Sequence, residues 1–200
     1  MAPRVNGGAP SDVTSVHDEE ALIDRAQRGE RSAFAELYDR HVDAVYRYIA
    51  FRVRDEDEAE DVTSEVFIKA MGALPRYEPR QPFLAWLYRI ARNAVIDRLR
   101  LSSRRTETAL TDPLAAAVPA RSEGFDPEAR ALARDRRERL RAALSRLHGD
   151  QQDVIVLRFI AGLSAEEVGG VLRKPASTVR GIQMRALRAL RQHLSPDDLR

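Results

Sequence analysis

One irregular segment divides this chain, and it constrains the possible folds more than any other feature. Residues 102–128 contain three prolines, a glycine and short runs of Ser, Thr and Ala in place of a regular apolar spacing. On both sides of the segment, apolar residues recur at the three-to-four spacing of amphipathic helices. No part of the chain shows the alternation typical of strands. The sequence therefore predicts an all-α fold, with two small helical domains joined by a flexible linker.

The same pattern gives approximate domain boundaries. The first 17 residues contain two glycines, two prolines and little apolar material, so we expect a disordered tail there. Fully extended, the linker could span roughly 90 Å, which would let the two domains bind separate parts of one large partner. The expected divisions are a tail at 1–17, a first domain at 18–101, the linker at 102–128, a second domain at 129–194 and a tail at 195–200.

Composition excludes several classes of protein. The chain has no cysteine and no run of 18 or more apolar residues, and its N-terminus lacks the apolar stretch of a signal peptide. The four histidines, His17, His41, His148 and His193, show no metal-ligand spacing. We therefore expect a cytoplasmic protein with no membrane insertion, no disulfide, and no zinc or iron–sulfur site built from cysteine.

The end of the second domain has the dimensions of a helix-turn-helix. Ser164 followed by Glu167 predicts a capping box at the start of one helix, and Lys174 and Pro175 separate that helix from the next. On the last helix, apolar residues spaced by three, four and four residues predict one buried face. That face consists of Val179, Ile182, Ala186 and Leu190.

The opposite face of the last helix indicates DNA. Six basic residues and no acidic residue lie between Arg173 and His193. Arginines on an exposed helix face can contact phosphates or guanine edges, and a helix start suits a phosphate. The alternative is a solvated basic helix in a bundle, but the charge pattern favours DNA binding. The candidate DNA-binding residues are Ser177, Thr178, Arg180, Gly181, Met184, Arg185 and Arg188.

An acidic run occupies the first domain, with seven carboxylates among residues 54–65. It has three interpretations: a Mg²⁺ site of a metal-dependent nuclease, a docking face for a basic partner, or a solvated helix start where acids favour the helix dipole. No glycine-rich phosphate loop or general base accompanies it, which disfavours the nuclease, and composition alone favours the solvated helix start. However, Asp57, Asp61 and Glu65 recur every four residues and line one side of a helix, which favours docking.

Aromatic residues and arginines alternate further along the first domain. Residues 76–105 contain eight arginines and two acids. Such a mixture suits unpaired nucleic acid, whose bases stack and whose phosphates need neutralising, although ordinary core packing is the alternative. We expect Trp86, Leu87 and Ile90 in the core, with Tyr77 and Asn93 exposed.

Three stretches of the chain together resemble signature stretches of bacterial extracytoplasmic-function (ECF) sigma factors. They are AEDVTSEVFIKAM at Ala59–Met71, FLAWLYRIARNAVIDRLR at Phe83–Arg100, and LSAEEVGGVLRKPASTVRGIQMRALRALR at Leu163–Arg191. Their order and the linker match as well. The resemblance implies a non-enzymatic, alternative-type sigma factor that binds core RNA polymerase, directs it to specific promoters and helps to melt the minus-ten region.

The resemblance also implies a role for each domain. The first, similar to sigma region two, would dock on the polymerase clamp helices and capture a flipped minus-ten base with the loop Arg76–Pro82 and Asn93. The second, similar to region four, would read the minus-thirty-five element as duplex. The implied polymerase-binding residues are Asp57, Glu58, Asp61, Glu65, Phe67 and Lys69. The implied minus-ten residues are Arg76, Tyr77, Arg80, Gln81, Trp86 and Asn93.

The partners that the resemblance implies are thus core RNA polymerase, promoter DNA and an anti-sigma factor, with no metal or other cofactor and no small-molecule substrate. A free-standing helix-turn-helix regulator, which would bind operators as a dimer, is the alternative. It would explain the second domain but neither the acidic run nor the helix that mixes aromatic residues with arginines.

Overall fold

The structure, a computed structural model, describes residues 12–53, 55–106 and 138–192. Within these ranges the chain is helical and contains no strand, which confirms the all-α prediction. No helix in the described ranges is long and apolar enough to cross a membrane. The helices are α1 (Asp12–Gln27), α2 (Arg31–Ala50), α3 (Glu56–Ala73), α4 (Phe83–Thr106), α5 (138–145), α6 (Gly149–Ile155), α7 (Ala165–Leu172) and α8 (Ala176–Arg191).

Two helices are longer than the sequence predicted. Helix α1 begins at Asp12, so residues 12–17 are helical rather than part of a disordered tail, and α4 continues past residue 101 to Thr106. The reason is that no proline or glycine interrupts the chain between Asp12 and Gly29, or between residue 101 and Pro113. The expectations for residues 1–11, 107–137 and 193–200 lie outside the described residues.

Helices α1 to α4 form a bundle whose core comes from one face of each helix. On α3 the side chain of Asp55 caps the helix start by accepting a hydrogen bond from the Glu58 backbone N–H at 2.9 Å. The apolar side of α3, at Val62, Val66 and Ala70, is fully buried. The acidic side of α3 is therefore left facing outward.

Helices α5 to α8 form the second unit, in which α6 continues into a π-helix at Val156–Ile160. The predicted capping box is confirmed: the Ser164 hydroxyl accepts from the Glu167 N–H at 3.1 Å, and the Glu167 carboxylate accepts from the Ser164 N–H at 2.6 Å. The turn after α7 is tight, because a Cβ on Gly169 would lie 2.6 Å from the Lys174 carbonyl oxygen. This close approach fixes the angle at which α8 leaves α7.

The predicted buried face of α8 is also confirmed, since its four apolar residues are the buried residues of that helix. The two units lie against each other: α4 contacts α7, and α2 contacts the π-helix. Their contact surface contains a buried carboxylate, that of Asp153, and two arginines.

Candidate nucleic-acid and protein interfaces

The outward face of α8 is a continuous basic surface. The predicted DNA-binding residues Ser177, Thr178, Arg180, Met184, Arg185 and Arg188 are all exposed, and Gly181 is half-buried among them. The Arg185 guanidinium lies over Gly181, where Nη1 is 3.8 Å from the position a Cβ would take. A helix of this kind can place its arginine-rich face in a DNA major groove while its apolar face stays packed on the protein.

One of these arginines has an ion-pair partner. The Arg180 Nη2 donates to the Glu166 carboxylate of α7 at 2.6 Å, and both side chains are more than 60% exposed. An exposed pair of this kind contributes at most about 1 kcal/mol to stability. The contact therefore holds Arg180 loosely, and a DNA phosphate or base could replace Glu166.

The loop between α3 and α4 differs from the prediction at Tyr77. Tyr77 was expected to be exposed, but its side chain is buried, and its ring packs against Trp86 and Phe83 with centroids 4.9 and 5.5 Å apart. Its hydroxyl donates to the Gln81 carbonyl at 2.8 Å, and burial raises the pKa of the phenol. The ring turns inward because it gains apolar burial and edge-to-face contacts there. Tyr77 thus shapes the loop from below.

The other candidates around this loop divide into two groups. Trp86 and Leu87 are buried as expected, and Ile90 is only half-buried. The polar groups Arg76, Arg80 and Asn93 are exposed and Gln81 is half-buried. A nucleic acid could therefore reach the polar side chains of the loop, whereas the aromatic rings beneath them form its support.

Sequence reasoning missed Gln27, which fastens this loop to α1. Its side-chain amide donates to the carbonyl oxygens of Leu74 at 3.0 Å and Tyr77 at 2.7 Å. Leu74 begins the short 3₁₀ turn Leu74–Arg76 that opens the loop, and Tyr77 directly follows that turn. Since Gln27 lies 47 and 50 residues from its acceptors, no local pattern could have indicated the contact.

The acidic side of α3 is accessible. Asp57 and Asp61 are exposed, and in the described part of the chain neither has an ion-pair partner. Glu58 and Glu65 are half-buried beside Arg98 of α4, at 3.8 and 4.0 Å from its guanidinium nitrogens. These carboxylates line one helix face instead of converging, and among the described residues no three His, Asp or Glu side chains are placed to hold a metal ion.

The same helix corrects one predicted binding residue. Phe67 is buried, with its ring packed edge-on against Tyr38 of α2 at 4.7 Å between centroids, so its ring is not available to a partner. The exposed large apolar residues of this helix are instead Ile68 and Met71, at 67% and 56% exposure. Lys69 is exposed between them and pairs with Glu65 at 2.5 Å. An apolar patch beside an acidic face is typical of a protein-binding surface.

Together these features define a two-unit, all-helical DNA-binding protein, with a helix-turn-helix in one unit and an arginine-bearing loop beside an acidic helix in the other. Residues 37–105 match the family Sigma-70 region 2, and residues 143–192 match Sigma-70, region 4. These matches fall on the α2–α4 bundle and on the helix-turn-helix unit.

Sequence similarity to named proteins identifies the family of this chain. The ECF RNA polymerase sigma factor BldN of Streptomyces coelicolor is 40% identical over 90% of this chain, which spans 66% of the length of BldN. The ECF RNA polymerase sigma factor SigW of Bacillus subtilis is 31% identical over 86% of this chain and 94% of its own length. The chain belongs to the ECF RNA polymerase sigma factors, and as such it directs RNA polymerase to promoters.

A solved structure has the same fold. CnrH, determined in complex with the cytosolic domain of CnrY, superposes with a TM-score of 0.67 and 28% sequence identity. The match covers 87% of this chain and 95% of CnrH. It therefore includes most of both helical units.

Proposed function

We propose that this sigma factor divides promoter recognition and polymerase binding among three surfaces on two domains, a region-two-like domain at 18–101 and a region-four-like domain at 129–194. Helix α8 reads the minus-thirty-five element as duplex. The loop Arg76–Pro82 and Asn93 hold an unpaired minus-ten base and so assist melting. The outward face of α3 docks on core RNA polymerase.

The observation that carries this proposal is the orientation of α8. The four residues of its apolar face are buried, and its arginines face solvent on the opposite side. Arg185 and Arg188 lie one helical turn apart, so one can contact a base edge while the other contacts a phosphate. A good bidentate contact between arginine and guanine discriminates against other bases by about 1–3 kcal/mol.

The burial of Tyr77 and Trp86 limits which groups can contact a minus-ten base. Tyr77 and Trp86 support the loop rather than stack directly on a base, which leaves Arg76, Arg80 and Asn93 as the accessible groups. Holding a base outside the stack must offset an unstacking cost of a few kcal/mol. A loop fixed by the Tyr77–Gln81 hydrogen bond and by Gln27 loses little conformational entropy on binding, which favours this role.

The α3 surface suits a partner with basic and apolar groups. Asp57 and Asp61 offer accessible negative charge, and Ile68 and Met71 offer exposed apolar area on the same helix. Charge complementarity speeds association and fixes the register of docking, while apolar burial contributes affinity. We assign this surface to the polymerase clamp helices.

The protein acts without catalysis in the cytoplasm, and an anti-sigma factor restrains it. CnrH was solved bound to the cytosolic domain of a second protein, which supports a protein partner of this kind for the fold. The free-standing regulator is disfavoured because a Sigma-70 region 2 match accounts for the first domain.

Gel filtration and affinity capture distinguish the two functions. The purified chain should elute as a monomer and co-purify with core RNA polymerase in a one-to-one complex. A dimer that binds promoter DNA tightly alone and is not retained by core polymerase would overturn the sigma-factor proposal in favour of the regulator.

A further inference from the structure

One arginine on the outward face of α8 differs from the others in having an acidic neighbour. Glu166, in the first turn of α7, accepts a hydrogen bond from Arg180 Nη2 at 2.6 Å across the helix-turn-helix. Among the described residues, no acidic side chain pairs with Arg185, Arg188 or Arg191. The charge of Arg180 is therefore balanced within the protein, whereas the charges of the other three arginines are available to phosphates.

The backbone that carries Glu166 is held in place from two sides. The capping box between Ser164 and Glu167 fixes the first turn of α7. Helix α7 also packs on α8, and the close approach of Gly169 to the Lys174 carbonyl sets the angle between the two helices. The contact between the exposed side chains is weak by itself, but a carboxylate on such a rigid support can orient the guanidinium that it binds.

The location of this pair relates it to both parts of DNA affinity. In a helix-turn-helix, the first helix crosses the phosphate backbone, and the N-terminal residues of the second helix contact base edges. Glu166 lies at the start of the first of these helices, and Arg180 lies in the second turn of the second. When α8 enters a major groove, the pair is therefore at the boundary between the phosphates and the base edges.

Nonspecific affinity gains little from an arginine that already has an anionic partner. Nonspecific binding comes from the neutralisation of phosphates and the release of their counterions, so it depends on positive charge that the protein itself does not balance. If a phosphate displaces Glu166 from Arg180, one anion replaces another, and the released carboxylate then faces the DNA backbone. The pair thus removes about one charge from the nonspecific attraction.

A base contact, in contrast, does not require the pair to break. A guanidinium has several N–H donors, and Glu166 accepts from Nη2 alone. The remaining donors can form a bidentate contact with guanine O6 and N7, which are neutral acceptors. The carboxylate also limits the rotamers of Arg180, which lowers the conformational entropy lost on binding. Glu166 therefore reduces the nonspecific part of the affinity and preserves the specific part.

We propose that Glu166 is a specificity-determining residue of the DNA-binding surface, which orients Arg180 toward a guanine and suppresses the attraction of that arginine to phosphate. The inference rests on the proposed reading of duplex DNA by α8 and adds a residue outside that helix. Glu166 acts through Arg180, so it is a positioning residue. Specificity is a difference between two affinities, so the loss of Glu166 should make DNA binding tighter but less selective.

Duplex binding by the full-length chain tests this role. The preferred duplex is selected from random sequences with the parent chain, and a scrambled duplex of the same length measures nonspecific affinity. Glu166→Gln removes the charge and keeps the size of the side chain. Nonspecific affinity should rise about fivefold or more at about 0.1 M salt, with a salt slope steeper by about 0.9, whereas affinity for the preferred duplex should rise at most about twofold.

Two control variants separate this role from a general effect of charge. Adding Glu166→Gln to Arg180→Ala should raise both affinities by the same factor, because no guanidinium is left to orient. Asp43→Asn, at an exposed position of α2, removes the same charge outside the helix-turn-helix and should change either affinity by at most about twofold. Circular dichroism should show the helix content of the parent in every variant.

Either of two results would overturn the role of Glu166. One is an equal gain in affinity for the preferred and scrambled duplexes with Glu166→Gln, and the other is a loss of selectivity that persists in the Arg180→Ala background. If the parent selects no preferred duplex, the proposed reading by α8 fails as well. If it selects a duplex whose binding Arg185→Ala weakens, but Glu166→Gln leaves the selectivity unchanged, the reading by α8 stands and only the role of Glu166 fails.

Discussion

Charge reversal on α3 is the perturbation that most clearly separates a docking face from a solvated helix. Asp61→Arg with Glu65→Arg replaces two carboxylates one turn apart with two guanidiniums. The structure limits the cost to folding: Asp61 is exposed, and Glu65 loses only exposed or partly exposed contacts with Lys69 and Arg98. Pairs of this kind contribute about 0–1 kcal/mol each, so the double variant should stay folded.

The effect on docking should be much larger than the effect on folding. Like charges brought together across an interface cost several kcal/mol, and loss of a desolvated charge contact costs about 2–5 kcal/mol. We therefore expect affinity for core RNA polymerase to fall at least about 100-fold, which corresponds to about 2.8 kcal/mol. The assay is a titration of labelled chain with core polymerase, beside circular dichroism and binding of a minus-thirty-five duplex, which should be unchanged.

Helix α2 offers a matched control. Asp39→Arg with Asp43→Arg reverses two exposed carboxylates at the same four-residue spacing and changes the net charge equally. This control should bind polymerase within about threefold of the parent chain. Equal binding by a folded α3 variant, or equal loss in both double variants, would refute the reasoning, because the location of the charge on α3 would then have no special role.

Substitutions at three further positions test the DNA-contacting surfaces and the support of the minus-ten loop. Arg185→Ala should weaken binding of the preferred minus-thirty-five duplex by about 1–3 kcal/mol if Arg185 reads a base. If a competition assay gave the variant and the parent equal affinity for every sequence, Arg185 would not be part of the DNA interface. Asn93→Ala should slow open-complex formation on a duplex promoter more than on a pre-melted one in a stopped-flow assay, whereas equal slowing would indicate a folding defect. Gln27→Ala leaves the carbonyls of Leu74 and Tyr77 without their donor, so it should lower the free energy of unfolding by about 1 kcal/mol in urea titrations and impair duplex opening. Gln27→Glu, whose carboxylate cannot donate, should have the same effects. Normal duplex opening by both variants would show that the contact does not position the loop.

The features predicted correctly are those that a single helix determines. The buried face of α8 follows from the spacing of Val179, Ile182, Ala186 and Leu190, because a regular helix places such residues on one side. The capping box at Ser164 is likewise decided within four residues. Apolar periodicity and local hydrogen bonding therefore predicted the helical class of the fold and the helix-turn-helix with its basic face.

The features predicted wrongly depend on contacts between separate elements of the chain. Tyr77 is buried because Phe83 and Trp86 lie beneath it after the chain turns, and Phe67 is buried because Tyr38 of α2 covers it. Local spacing contains no information about either neighbour.

The buried contact between the units is a further example. Asp153 gave no signal in the sequence, because its partners Tyr48, Arg52 and Arg92 lie 61 to 105 residues away. A single aspartate on a short helix is usually solvated, so only the packing of the two units shows its role.

Mapping the 5′ ends of RNA made in vitro tests the central claim most directly. Core RNA polymerase would transcribe genomic DNA of the source organism with and without the full-length chain. The account predicts a new set of start sites that share one sequence about 10 and another about 35 base pairs upstream, and that vanish with the α3 double variant. Start sites identical with and without the chain, under conditions in which the chain is folded and bound to the polymerase, would contradict the claim that it confers promoter specificity.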